Sequence, residues 1–393
     1  MKKSVIKILF TLGFLAMVLA ACGSEDSGAK SDGGGDTIHI GVNMELSGAV
    51  ASYGQSDTEG IELAVEEINE AGGIDGKQIK VTKVDNKSDA AEATNAAIKL
   101  TSQDKVTAII GAATSGNTVA QAQIANDTET VLLSPSGTSP NVTIQDDGTL
   151  NDFVFRTSYI DPFQGTVAAN FAIDELGIKN AAILADNASD YAKGLGTAFK
   201  ETFEAAGGTI VSEEAYVAKD TDFRSILTNI QSADPEFIFI PGYYEEVGLI
   251  IKQAREMGIE VPLMGADGWD SPTLVELAGA DALNNTFITN HYSSEDPDET
   301  IQNFVTKYKE KYDGSSPNAF HALGYDSVYL LADAIERAGS ADSKAIKDAL
   351  EETKDIKLVS GVVTIDKDHN PVKSATILEY VDGKQVFKTK INP

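Results

Sequence analysis

The chain has 393 residues, with 31 Lys and Arg against 60 Asp and Glu, a formal net charge of −29 at pH 7, and one cysteine, Cys22. So acidic a chain argues against nucleic-acid binding, which depends on Lys and Arg neutralising phosphates, and says little about a cationic ligand, since dispersed negative charge mostly serves solubility. One cysteine allows no internal disulfide, so the folded part must rest on the size of its core.

At the start, Lys2, Lys3 and Lys7 introduce an apolar run from Ile8 to Leu19, and Leu19-Ala20-Ala21 stands directly before Cys22. This layout predicts a secretory signal peptide over 1–21, because the run is short for a membrane span and the residues before the cut are small. The alternative is a plain anchor helix with a chance cysteine. Leu-Ala-Ala-Cys resembles a bacterial lipobox, which implies cleavage before Cys22 and a lipid on it. Losing 1–21 removes three lysines and no acid and moves the charge from −29 to −32. Gly23 to Asp36 is rich in Gly, Ser and Asp, too polar to fold, so 22–36 is expected to be a lipidated flexible linker.

From Thr37 onward, short β-type runs alternate with helical spacing. Ile38 to Asn43 precedes a helix from Ser56 to Ala71, Ile79 to Val84 precedes Ala90 to Leu100, and Val106 to Ile110 precedes Gly116 to Ala125. Ala181 to Ala185, Thr209 to Tyr216, Phe237 to Pro241 and Val261 to Gly265 continue the strands, each followed by apolar residues at helical intervals. Such βαβ repetition predicts an α/β fold with doubly wound parallel sheets, and the length predicts two domains. Helices are expected near Glu299 to Tyr312, Leu323 to Ala338 and Ser343 to Glu352. The end changes character: Val362 to Ile365, Ala375 to Tyr380 and Gln385 to Lys388 read as antiparallel strands, with Asp382-Gly383 as a hairpin turn.

No dinucleotide fingerprint, phosphate loop, zinc motif or nucleophile elbow occurs in the sequence. His39, His291, His321 and His369 are far apart, and Asp366 to Asn370 starts like a calcium loop but has Pro371 where glycine is needed. No cofactor and no metal are therefore expected. Polar residues instead cluster at strand-to-helix junctions, where open α/β sheets bind ligands. Ser115, in Gly111-Ala-Ala-Thr-Ser-Gly116, and the helix amides beside it can hold a carboxylate, or Ser115 can be an ordinary N-cap. Ser134-Pro-Ser136-Gly-Thr138 follows the same logic. Asp267 can pair with an ammonium or serve as a turn residue. Tyr53, Tyr191 and Tyr243 occupy similar junctions and can wall a pocket or only pack.

Taken together, Ile40-Gly-Val-Asn-Met-Glu-Leu-Ser-Gly48, Tyr53-Gly54, Gly60-Ile-Glu-Leu-Ala64, Ile68-Asn69-Glu-Ala-Gly-Gly-Ile74, Gly111 to Ser115, Ser134 to Thr138, Gly242-Tyr243 and Gly265-Ala-Asp267 resemble the solute-binding proteins of branched-chain amino acid transport, which have the type I periplasmic-binding fold. The resemblance implies two doubly wound lobes joined by a three-strand hinge, with lobe 1 over 37–158 plus 292–367 and lobe 2 over 159–291 plus 368–393. Its crossovers fall on Thr157 to Asp161, Thr289 to Tyr292 and Asp366 to Asn370. It places ligand-carboxylate contacts on Ser115, Thr138 and the backbone of Ser136, an ammonium-binding acid on Asp267, and lining aromatics on Tyr53, Tyr191, Tyr243 and Phe320. Asp267 stands where Glu is frequent, Trp269 stands where a small residue is common and is expected to trim the pocket, and a disulfide frequent in Gram-negative members is absent.

The function implied is a lipid-anchored, extracytoplasmic, monomeric receptor that captures Leu, Ile or Val and hands it to the permease of an ATP-binding-cassette importer. It is not an enzyme on this reading. The alternatives are a receptor for another amino acid, an amide or an aromatic acid, a secreted enzyme, or a lipoprotein adhesin.

Overall fold

The computed structural model describes residues 37–392, so the signal segment 1–21, Cys22 and the linker 22–36 lie outside the described residues. Strands β1 (Thr37–Met44), β2 (Gln78–Asp85), β3 (Ala108–Gly111), β4 (Val131–Ser134) and β5 (Val154–Arg156) form a parallel sheet in the order β2-β1-β3-β4-β5. Helices α1 (Ala51–Glu70), α2 (Ala90–Ile98) and α3 (Ser115–Asp127) make its first three crossovers. β3, β4 and β5 are buried along their whole length, as strands covered on both faces must be, and this is why they read as unbroken apolar runs.

The chain then builds a second sheet. It passes through α4 (Asp161–Asn170), β6 (Asn180–Asp186), α5 (Asp190–Ala205), β7 (Thr209–Tyr216), α6 (Arg224–Ser232), β8 (Phe237–Phe239), α7 (Tyr244–Glu256), β9 (Leu263–Gly265), α8 (Pro272–Ala278) and β10 (Thr286–Asn290). It returns to the first sheet as α9 (Glu299–Lys311), α10 (Ala319–Ala338), α11 (Ser343–Glu351) and a small antiparallel sheet, β11 (Ile356–Leu358), β12 (Gly361–Ile365) and β13 (Pro371–Val372). It ends back in the second sheet with β14 (Ala375–Val381) and β15 (Lys384–Ile391). That sheet has the order β15-β14-β10-β9-β8-β6-β7, with β14 antiparallel to both neighbours. The β14–β15 turn is the expected one, with Asp382 and Gly383 both at positive φ.

One crossover lies elsewhere than the resemblance implies. Asp366 to Asn370 is the turn between β12 and β13, closed by the Asp366 carboxylate accepting from Asp368 N (2.9 Å) and Asn370 N (2.8 Å). His369 stacks on Phe155 at 3.9 Å between centroids and bonds Val154 O, which ties 368–372 to the first sheet rather than the second. The chain leaves for the second sheet only at Lys373 and Ser374. The cause is a long-range contact: β13 is too short and too polar in context to announce a strand, and the first sheet recruits it.

Helices α1 and α10 pack through a glycine on each. A methyl at Gly60 would lie 2.0 Å from His321 O, and one at Gly324 would lie 2.1 Å from Asp57 O, so each helix touches the other's backbone where no side chain intervenes. This approach stacks Tyr53 of α1 on Phe320 of α10. Gly324→Ala is expected to lower the unfolding free energy by about 1–3 kcal/mol through overpacking. Urea denaturation checks it, because an unstrained site would instead gain up to about 1 kcal/mol of helix propensity.

Candidate functional site

Tyr53, Ser115, Ser136, Thr138, Tyr191, Tyr243, Asp267 and Phe320, eight residues scattered over the sequence, line one cavity between the two sheets, completed by Ala113, Thr114 and Gly268. The walls stand so close that the free space between them is about 10 Å³, room for little more than a water. The loops after β3, β4, β6, β8 and β9 supply most of the wall, all at the carboxyl ends of strands. A larger open crevice beside Asp355, Lys357 and Lys390 gathers none of these eight residues.

The wall beside α3 is built on Glu45, which sequence reasoning passed over although it lies within the Ile40 to Gly48 motif. Fully buried just past β1, its carboxylate accepts from Ala113 N (3.0 Å), Thr114 N (3.1 Å), Thr114 Oγ1 (2.7 Å) and Asn117 Nδ2 (2.8 Å). An acid directly after a buried strand was the available signal. Thr114, not Ser115, is the N-cap of α3, and its hydroxyl serves Glu45. Ser115 thus occupies the first helical position, at the end where backbone amides lack helical partners, and its Oγ accepts from Ser139 N (3.1 Å).

The next loop is held by Arg156, buried at the end of β5, whose Nη1 donates to Gly137 O (2.8 Å) and whose Nη2 donates to Ser139 O (2.8 Å). Burial pushes this guanidinium down to about 10, with Asp161 as the opposing charge. Thr138, between the two gripped carbonyls, is fixed further by its own carbonyl accepting from Asp161 N (3.0 Å). Ser136 Oγ is spent inside the wall, 2.8 Å from Ala113 O and 3.1 Å from Asp57 Oδ2, and burial pushes the Asp57 carboxyl well up.

Across the cleft, Asp267 opens a single 3₁₀ turn after β9 and is 2% exposed. Its Oδ1 accepts from Gln164 Nε2 (2.9 Å), the Tyr191 hydroxyl (2.8 Å) and, in part, Gly268 N (3.1 Å), while Oδ2 lies 3.1 Å from His291 Nε2. Among the described residues no lysine or arginine forms an ion pair with it. Tyr191 stacks on Tyr243 at 5.1 Å, Tyr53 meets Tyr243 edge-on at 5.7 Å, and the four rings make an apolar wall between the polar ends.

The cleft is closed. The Tyr53 hydroxyl donates to Gly268 O and accepts from Tyr244 N, Ser52 Oγ meets Ser271 Oγ at 2.7 Å, and the Tyr244 hydroxyl donates to Ala49 O at 2.9 Å. Trp269 does not trim the cavity. It is fully buried beneath β9, its Nε1 donating to Ile240 O (3.0 Å) and its ring against Gly265, where no Cβ fits. Its neighbourhood to Asp267 in sequence misled, because the tight turn sends the two side chains apart. The four histidines stay separate, and among the described residues no His, Cys, Asp or Glu cluster suits a metal.

A family model described as periplasmic binding protein matches residues 37–385. Over 338 residues the chain is 30% identical to a leucine-, isoleucine-, valine-, threonine- and alanine-binding protein of Pseudomonas aeruginosa, covering 86% of this chain and 86% of that one. Its structure is similar to the crystal structure of the branched-chain amino acid transporter substrate binding protein LivJ from Streptococcus pneumoniae in complex with isoleucine, at 41% identity and a TM-score of 0.86, covering 91% of this chain and 100% of that one. It is also similar to a solute binding protein from R. palustris in complex with benzoate, at 26% identity and a TM-score of 0.80, covering 91% and 97%.

Glu45→Ala would leave two buried amides unpaired, each at a cost of about 1–3 kcal/mol, so the variant is expected to lose about 3 kcal/mol of unfolding free energy. Glu45→Gln keeps one acceptor oxygen and should lose less. Guanidinium denaturation of both measures this, and a loss under about 1 kcal/mol in the alanine variant would show that Glu45 does not hold the loop.

Proposed function

The chain belongs to the periplasmic binding protein family, and on that premise we propose that it is the extracytoplasmic receptor of an ATP-driven importer, taking a branched-chain amino acid, Leu, Ile or Val, between two closing lobes. The observation that carries this reading is the cavity's polarity. One end is the amino terminus of α3 with Ser115 and Thr138, the other is Asp267 without a cation, and rings lie between them. A helix amino terminus attracts a carboxylate, Asp267 attracts an ammonium, and the rings offer an aliphatic side chain contact without hydrogen-bonding demands. An aromatic acid of the benzoate kind fits less well, since it would bury Asp267 with no cationic partner.

Catalysis has no comparable support: His291 donates to Asp267, and no hydroxyl reaches its Nδ1 among the described residues. The proposed lobes are those expected from the sequence with 368–372 reassigned to the first, and closure turns on the crossings at 157–160, 291–298 and 373–374. Ligand held by both lobes shifts the population toward the closed form. The layout of 1–22 supports export and a lipid on Cys22, so the receptor works as a tethered monomer that presents its ligand to a membrane permease.

Asp267→Ala is expected to abolish isoleucine binding. Breaking a buried charge pair costs on the order of 3–5 kcal/mol, a hundred- to several thousand-fold in affinity. Asp267→Glu should change binding more mildly, and Ser115→Ala less still, because helix amides remain. Isothermal titration decides it: a folded Asp267→Ala protein that binds isoleucine within about threefold of the parent removes the zwitterion model.

Cys22→Ser is expected to release the protein from washed membranes while leaving ligand binding unchanged. Retention in the membrane fraction after a high-salt wash would show that the anchor is not the Cys22 lipid.

A further inference from the structure

The two oxygens of Asp267 are not equivalent. Oδ1 takes a full donor from Gln164, another from Tyr191 and a share of Gly268 N, which exhausts the two lone pairs of a carboxylate oxygen. Oδ2 takes a single donor, His291 Nε2 at 3.1 Å. An ammonium arriving in the cavity is therefore accepted at Oδ2, the oxygen whose direction one imidazole sets.

That imidazole sits in the hinge. His291 is the first residue after β10, in the second crossing; its ring stacks on Tyr159 of the first crossing, with centroids 3.9 Å apart and planes 23° from parallel. Lys373 of the third crossing places its Nζ 5.9 Å from the Tyr159 ring centroid and donates to Ser360 Oγ (2.7 Å). Tyr159 also bonds Gln164 Oε1 (3.3 Å), the same amide oxygen that accepts from Thr289 Oγ1 (2.8 Å) and Asp267 N (3.1 Å). Every crossing thus contributes to one stack that ends on the carboxylate.

We propose that His291 is a positioning residue, a neutral donor seated in the hinge that aims Asp267 Oδ2 at the ligand's ammonium group. The assignment rests on the reading of Asp267 given above. Neutrality matters because an imidazolium would itself pair with Asp267 and compete with the ligand. Burial, with Lys373 nearby, pushes His291 down to about 4, against the opposing pull of Asp267. Its proton is on Nε2, since Asp267 Oδ2 accepts, and Nδ1 is left without a partner. Because the stack spans all three crossings, the residue that aims Oδ2 is held by the segments that join the two sheets.

The test uses two probes, L-isoleucine and 2-hydroxy-3-methylpentanoate, which share a carboxylate and side chain but differ in the ammonium group. By isothermal titration, His291→Phe keeps the stack and removes the donor. It is expected to weaken isoleucine ten- to a hundredfold, the range for a hydrogen bond to a charged group, and to leave the hydroxy acid unchanged. His291→Gln, whose amide nitrogen takes the place of Nε2, should restore isoleucine to within about threefold, whereas His291→Asn, which ends short of Oδ2, should not. Equal losses for both probes, or a His291→Phe protein that binds isoleucine like the parent, overturn the assignment. If His291→Phe does not fold, the Gln and Asn variants decide, and equal isoleucine affinities in those two overturn it. Asp267→Ala run alongside separates the two ideas: an unaffected Asp267→Ala protein removes the ammonium site itself, while a weakened one with His291 variants unchanged removes only the role of His291.

Discussion

A carboxylate taken out of water and met only by neutral donors is an unfinished arrangement, and Asp267 is in that state. Gln164, Tyr191, Gly268 and His291 give it hydrogen bonds, which offset part of the lost hydration, yet none brings a positive charge. Burying such a group costs several kcal/mol unless a cation joins it. Lys373, the buried amine of the hinge stack, lies 5.9 Å from the Tyr159 ring centroid, forms no ion pair with Asp267, and is itself pushed by burial down to about 7.

The opposite wall of the cavity meets a different constraint, since loops do not hold backbone amides at a fixed place unaided. Glu45 and Arg156 do this with opposite charges. Glu45 gathers the donors of the β3–α3 loop and sets the start of α3, while Arg156 gathers the carbonyls on either side of Thr138. Both are buried and both spend their charge on backbone and short polar side chains. The cavity-lining residues Ser115 and Thr138 are therefore positioned by residues outside the lining.

Hydrogen bonds and ring contacts join the two walls across the cleft. Tyr53 reaches Gly268 and Tyr244 across the cleft, Ser52 meets Ser271, and Tyr244 returns to Ala49. The rings of Tyr53, Phe320, Tyr243 and Tyr191 form an apolar layer between the polar ends of the cavity.

The sequence by itself determined the alternation of strands and helices, because period and turn chemistry are local: β1, β2, β7, α11 and the Asp382-Gly383 turn fall within a residue or two of where spacing puts them. It also determined which junctions carry polar groups, and with the family resemblance those eight positions could be named before any two were known to be neighbours. Tertiary structure decided what depends on distant parts of the chain. β13 became a strand of the first lobe only because β12 and Phe155 were there to receive it. Trp269 went into the core rather than the cavity because the turn after Asp267 points it at Gly265. Glu45, Arg156 and His291 looked like ordinary charged or polar residues in the sequence. Their roles come from partners 68, 19 and 24 positions away, which no local pattern encodes and only a folded chain brings within hydrogen-bonding distance.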